Sequence, residues 1–215
     1  MPQVFHPPVV LGLKLLLLSA ALAIAVAGVT LYKALPARGG PLSPAQPIPF
    51  SHKHHAGDDG IDCRYCHYSV EKSAFAGIPS TQVCLTCHSQ LFTDAPVLEP
   101  LRESARSGRP IRWVRVHELP DFVFFDHSIH IAKGVGCVEC HGRVDEMPRI
   151  RRVASLDMQW CLACHRNPAP HLRPPSKVFD MAWRSQATPA EHAALVRSLH
   201  IASKRRLTDC STCHR

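Results

Sequence analysis

The stretch FFDHSIHIAKGVGCVECHG, residues 124–142, ends in Cys137-x-x-Cys140-His141 and carries two histidines, His127 and His130, ten and seven residues before its first cysteine. The terminal pattern is not local to this stretch. It recurs as Cys63/Cys66/His67, Cys84/Cys87/His88, Cys161/Cys164/His165 and Cys210/Cys213/His214, and together the five sets use all ten cysteines of the chain. Cys-x-x-Cys-His is the attachment signature of c-type haem. Two thiols add across the two vinyl groups of one porphyrin, and the adjoining histidine reaches the iron from one face.

Three other readings of the cysteines fit less well. A disulfide scaffold has no reason to follow every second cysteine with a histidine. A zinc array needs two further ligands per pair, and no second pairs stand at regular spacing. A thioredoxin-like dithiol comes with a βαβ setting that is not repeated five times here. The cysteines therefore read as five covalently bound c-type haems. Their thioether residues are Cys63, Cys66, Cys84, Cys87, Cys137, Cys140, Cys161, Cys164, Cys210 and Cys213, and their proximal iron ligands are His67, His88, His141, His165 and His214.

Composition agrees with a chain organised by its cofactors. Beyond the N-terminal segment there are roughly 35 residues for each haem, far short of a self-sufficient hydrophobic core. Nineteen prolines and few aromatic residues argue against a large regular fold. The formal net charge of +8 falls to roughly +3 once each ferric haem with two ionised propionates contributes about −1. Arg64, Arg166 and Arg215 stand next to motif residues and are candidate propionate partners.

Leu15–Tyr32 is a run of eighteen residues without a charge, long enough for one transmembrane helix with Lys14 at its edge. A cleaved leader ending near Ala25-Val26-Ala27 is the competing reading. Lys14, Lys33 and Arg38 flank both sides and do not set the orientation. Covalent haem attachment takes place outside the cytoplasmic membrane, so everything from residue 36 onward is expected on the periplasmic side of the cell membrane, away from nucleic acid. PARGGPLSPAQPIP, residues 36–49, reads as an extended proline-rich linker.

The two histidines of the opening stretch belong to an internal repeat. FSHKHHAGDDGIDCRYCH (50–67) and FDHSIHIAKGVGCVECH (125–141) share Phe-x-His-x-x-His, a glycine-bearing approach and Cys-x-x-Cys-His, and each is followed by a further motif within 21 to 24 residues. Side chains three apart on a helical turn have Cβ atoms about 5–6 Å apart, so one turn can hold two different irons at short range. The arrangement resembles the small multihaem cytochromes of the c3/c7 type, and the fold expected is a mostly helical and irregular multihaem domain of c3/c7-like modules. On that resemblance His52 and His55 are distal ligands for the haems of His67 and His88, and His127 and His130 for those of His141 and His165. The spacing does not say which distal residue serves which iron. His54 reads as the spare. For a fifth distal ligand, His200 stands ten residues before Cys210 on a helix signalled by Thr188, Pro189 and Glu191, and Met158 and Met181 are chemical alternatives.

VHELPDFVFFDHSIHIAKGVGCVECHG, MQWCLACHRNP and the terminal LTDCSTCHR resemble the membrane-anchored pentahaem cytochrome c subunit of alternative complex III. The resemblance implies a relay of electrons from an iron–sulfur subunit similar to molybdopterin oxidoreductases, and from polytopic quinol-binding membrane subunits, toward a monohaem cytochrome c, a periplasmic acceptor or a terminal oxidase. It also raises His117 as a fifth distal ligand. A catalyst with one open haem, or a quinol dehydrogenase in its own right, is the alternative. The supply of histidines and the lack of an acid–base cluster favour the relay. The expected organisation is an anchor (1–35), the linker (36–49), a first two-haem module (50–100), a basic connector (101–124), a second two-haem module (125–175), and a C-terminal helix with the fifth haem (176–215). The arginines of 102–115 and of 149–152 read first as solvated faces and propionate partners, with a docking surface for an acidic partner or anionic lipid as the alternative.

Overall fold

The computed structural model describes residues 6–34 and 43–214, in two compact units that divide at Gly39–Gly40. The first half of the proline-rich stretch, residues 36–42 with Arg38 among them, and Arg215 lie outside the described residues, as does the side chain of Lys33. The first unit is one helix, α1 (Pro7–Ala34). It opens on two prolines whose missing N–H groups cost nothing in a first turn. At ~1.5 Å per residue its 28 residues exceed the roughly 30 Å of a bilayer's hydrocarbon core. Among its described side chains the hydroxyls are satisfied within the helix, Ser19 Oγ donating to Leu16 O and Thr30 Oγ1 to Ala27 O, both at 2.9 Å. The segment Pro7–Leu31 is thus long and apolar enough to cross a membrane.

The second unit is built from short helices and irregular chain: α2 (Cys63–Cys66), α3 (Thr81–His88), α4 (Glu99–Ser107), α5 (His127–Ala132), α6 (Cys137–His141), α7 (Met158–Arg166), α8 (Pro189–Ser198), α9 (Lys204–Leu207) and α10 (Cys210–Cys213). Among the described residues there is no strand, only a single antiparallel bridge between Val135 and Leu172. Every Cys-x-x-Cys-His therefore starts on a helical turn, which sets its two cysteines on one face. Aspartates cap three of these turns and the histidine turn α5. Asp62, Asp126, Asp157 and Asp209 each accept a backbone N–H, from Arg64, Ser128, Trp160 and Ser211. The capping box expected at Thr188 and Glu191 opens α8.

Apolar burial is scarce. The buried hydrophobic side chains are Ile48, Val70, Leu101, Met147, Leu172, Val178 and Met181, one or two per stretch of chain, while Tyr68, Phe75, Phe92, Phe122, Ile129 and Met158 stay exposed. Short-range locks hold the segments instead. The wide turn Lys53–Asp58 packs on the turn Val144–Glu146, where a side chain on Gly57 would collide with the Asp145 carbonyl, and Lys53 N donates to Met147 O (3.0 Å). This contact joins the histidine turn of the first repeat to the chain leaving the attachment helix of the second. Helix α4, which begins two residues before the expected basic connector and runs into it, packs on α3 through Leu101 and a Thr81–Ser104 hydroxyl contact (2.6 Å). Its arginines are largely spoken for, Arg102 by Glu99 and Arg106 by Glu99 and Glu103. The described end of the proline-rich stretch is tied to the second unit, Ser43 Oγ donating to Ile150 O and Gln46 exchanging two hydrogen bonds with Val114, each 2.9 Å.

Candidate haem centres

The repeat read from the sequence is a repeat in space. In the first copy the Phe50 ring stands edge-on to His52 (4.9 Å, 90°) and stacks on His55 (4.4 Å, 27°). In the second, Phe125 stands edge-on to His127 (4.7 Å, 88°) and stacks on His130 (4.6 Å, 27°). One phenylalanine thus splays each histidine pair, turning the two imidazoles toward different places although their Cα atoms share a turn.

Those places are the attachment motifs. His55 faces His88 with ring centroids 6.2 Å apart, His127 faces His141 at 6.3 Å, and His130 faces His165 at 6.1 Å. Two metal–imidazole bonds of about 2.0–2.1 Å, with half a ring beyond each, separate the centroids of a bis-imidazole pair by roughly 6–6.5 Å. All three separations fall in that interval. They leave room for one iron between each pair, so the residues present fit the group that the sequence implies.

The remaining nitrogens point the same way. The Nδ1 atoms of four motif histidines meet backbone carbonyls: His67 on Gly77 (2.7 Å), His88 on Leu91 (3.1 Å), His165 on Leu207 (2.9 Å) and His214 on Phe122 (3.1 Å). Those of His55, His127 and His130 meet Ser51, Ala74 and Asp126 carbonyls at 2.7–2.9 Å. A carbonyl only accepts, so each contact places the proton on Nδ1 and leaves the Nε2 lone pair for a metal. Burial, reinforced by neighbouring imidazoles, pushes His141 down to about 3 and His52 to about 4, and lowers His117 and His130 as well. These rings stay neutral across the physiological range, the state in which imidazole binds metal. None of the ten cysteines forms a disulfide. Burial raises Cys137 to about 11 and Cys140 to about 12.

Several carbonyls come from a different module than the histidine they hold. Ala74, in the first module, holds His127 of the second; Leu207, near the C-terminal motif, holds His165; and Phe122, before the second repeat, holds His214. The modules are interlocked through the orienting shell of their histidines.

The other designated residues are distributed as follows. His52 is half-buried with its Nδ1 sealed from solvent and unpartnered, and the nearby His67 imidazole adds to burial in lowering its pKa. His54 is exposed beside Asp59 (3.5 Å). His117 lies edge-on against His141, 4.4 Å between centroids, with its Nε2 buried and unpartnered. The ring stacked near His214 is Phe122, at 6.0 Å. Met181 is buried and Met158 exposed. His200, exposed at the end of α8, has a left-handed backbone (φ 49°). Arg64 is engaged by Asp62 in a two-pronged pair (2.8 and 2.9 Å) and lies over the Phe179 ring. Sequence reasoning missed the orienting carbonyls and the Glu139–His171–Arg173 cluster, whose contacts span 32 and 34 residues.

With attachment turns, facing imidazoles and a mostly helical, strand-poor unit together, the chain is a multihaem c-type cytochrome with a c7-like haem domain, an electron-transfer protein. Comparison with known proteins agrees. Residues 123–215 match the family model described as cytochrome c7 and related cytochrome c. The chain is 41% identical over 97 residues to the menaquinone reductase multiheme cytochrome c subunit of Nitratidesulfovibrio vulgaris, covering 45% of each chain. It is 34% identical over 83 residues to the acrylate reductase cytochrome subunit of Shewanella woodyi, covering 39% of this chain and 53% of that one. The chain thus matches about half the length of these curated relatives. Both are named as cytochrome subunits of reductases.

Proposed function

We propose that this chain is a membrane-anchored pentahaem relay, one subunit of a quinol-oxidising respiratory complex of the alternative complex III type, carrying electrons to a periplasmic acceptor or terminal oxidase. The observation that carries the reading is the set of facing imidazoles at 6.1–6.3 Å. Bound haem supplies iron that alternates between ferrous and ferric states. The chain's part would be to hold each iron with two imidazoles, so that no small molecule reaches the metal, and to keep neighbouring centres at fixed short range.

The ligand scheme that follows pairs His55 with His88, His127 with His141 and His130 with His165. The repeat assigns His52 to His67 by analogy. His117 is the fifth distal candidate, supported by an Nε2 that is buried and kept free of hydrogen bonds. Two histidines on one turn then serve two irons, His52 and His55 in the first module and His127 and His130 in the second. The anchor reading draws on the length of α1. The partners proposed are an iron–sulfur, molybdopterin-like subunit, polytopic quinol-binding subunits and a monohaem cytochrome c. They follow from the resemblance of the chain's motifs and from the subunit status of its relatives.

A relative named menaquinone reductase favours a second reading, the same relay delivering electrons into the quinone pool. One experiment separates the two. Intact membrane complex is purified, its haem content is read from the mass of this chain, and quinol is added under anaerobic conditions. The proposal expects the mass of five haems and prompt reduction of the haems by quinol. Five haems that stay oxidised with quinol, yet are reoxidised by added quinone after chemical reduction, would favour the reverse direction. Fewer than five haems would refute the pentahaem reading.

A further inference from the structure

Arg173 is a large side chain almost wholly sealed inside the protein, 2% exposed. Its Nη2 donates to Glu139 Oε1 at 2.8 Å, its Nη1 to the carbonyls of Asp180 (3.2 Å) and Lys177 (3.4 Å), and its guanidinium lies 4.8 Å over the Trp183 ring. Two glycines make the space. A side chain on Gly136 would run into the guanidinium itself. Gly134, at φ +74°, accepts a hydrogen bond from Arg173 N (2.9 Å), and a Cβ there would meet the Arg173 carbonyl at 2.6 Å. The cation is thus pressed against the residue that precedes Cys137. Its anion, Glu139, stands inside the Cys137–His141 turn and takes a second hydrogen bond from His171 Nδ1 at 3.0 Å.

An ion pair whose cation is buried and whose anion is half-buried is poor evidence for stability, because the cost of desolvation offsets the attraction. Its place suggests another role. Oxidised haem carries one more positive charge than reduced haem, so a nearby cation favours the reduced state and a nearby anion the oxidised state. Burial lets the Arg173 charge act at longer range than in water, while the half-buried Glu139 acts from inside the attachment turn itself.

We propose that Arg173 and Glu139 form an opposed pair that sets the reduction potential of the haem held by Cys137, Cys140 and His141, Arg173 raising it and Glu139 lowering it, while they position that attachment turn. This rests on the haem assignment made above. Both residues are positioning residues, acting on the centre through space and through the loop.

The test is an EPR-monitored redox titration of the full-length holoprotein, buffered well above the histidine range so that His171 is neutral throughout. Glu139→Gln, which keeps shape and removes charge, raises the midpoint potential of one haem. Arg173→Gln lowers the potential of that same haem, and Arg173→Lys, which keeps the charge, leaves it close to its starting value. The other haems stay in place. A loop that is merely loosened lets water in and moves the potential the same way in both charge-removing variants. Shifts of one sign, or no shift, overturn the proposal. If Arg173→Gln yields no holoprotein, Glu139→Gln decides alone: an upward shift upholds the proposal, and a downward shift or none overturns it. The mass of a Cys137→Ser/Cys140→Ser double variant separates the two layers. One haem fewer upholds the assignment beneath the proposal, whereas an unchanged haem count sinks the assignment and the proposal with it.

Discussion

Replacing His130 with alanine is expected to convert one low-spin haem to a five-coordinate, high-spin one without loss of haem from the chain. Attachment depends on Cys161 and Cys164, which the substitution leaves alone, so the mass of the holoprotein changes only by the side chain. The missing imidazole is the one that faces His165 at 6.1 Å. With that position empty the reduced iron is open to carbon monoxide, and the dithionite-reduced spectrum acquires a carbonyl band equivalent to one haem. Electron throughput falls too, because the iron now changes ligation and spin state as it cycles. An added barrier of only about 1.4 kcal/mol costs a tenfold drop in rate. His54→Ala is the matched control. That ring is exposed beside Asp59, and its removal leaves spectrum and throughput unchanged. A His130→Ala protein that remains fully low-spin and inert to carbon monoxide removes His130 from the ligand scheme.

The second large effect is on folding. Chain produced without covalent haem attachment is expected to lack a cooperative fold: weak helical circular dichroism, no thermal transition, and digestion by trypsin under conditions in which holoprotein survives. The buried apolar side chains of the second unit are Ile48, Val70, Leu101, Met147, Leu172, Val178 and Met181, too few to offset the conformational entropy of a unit of this length. The exposed Phe75, Phe92, Ile129 and Met158 are the apolar surface left for the porphyrins to cover. The helices α2, α9 and α10 have four residues each, well below the length at which isolated helices are stable. They persist because the structure around them is closed by the cofactors, so ligand binding and folding are one equilibrium. A stable, helical apoprotein with a sharp melting transition contradicts this account.

The spatial repeat of the candidate site is legible in the sequence. The five motifs each offer a candidate proximal histidine, and the repeated Phe-x-His-x-x-His singles out His52, His55, His127 and His130 as distal candidates over the exposed His54. Phe50 and Phe125 then recur with nearly identical ring geometry because the same local sequence makes the same turn. The capping box of α8 was equally plain, being a contact between residues three apart. What the sequence withheld is long-range or carried by the backbone. The carbonyls of Gly77, Ala74, Leu207 and Phe122 orient histidines up to 92 residues away, and a carbonyl leaves no mark in residue identity. Arg173 reads like any surface arginine until the fold brings Glu139 and two glycines to it. The chain partner of Gln46 is Val114, through a backbone N–H and C=O that any residue has. His117 was raised by resemblance, and its ring lies against His141.

The central claim is that paired imidazoles close the irons, and low-temperature EPR of the fully oxidised protein in its native membrane complex tests it most directly. Near-parallel imidazole planes split the iron d orbitals and give ordinary rhombic low-spin spectra, whereas steeply crossed planes leave those orbitals close in energy and push the largest g value upward. The planes of His127 and His141 are 9° apart, those of His130 and His165 34°, and those of His55 and His88 61°. The account predicts low-spin signals alone, with the largest g value rising in that order, and no carbon monoxide binding after reduction. A high-spin signal amounting to one haem or more in an intact preparation, with carbon monoxide bound on reduction, would contradict it.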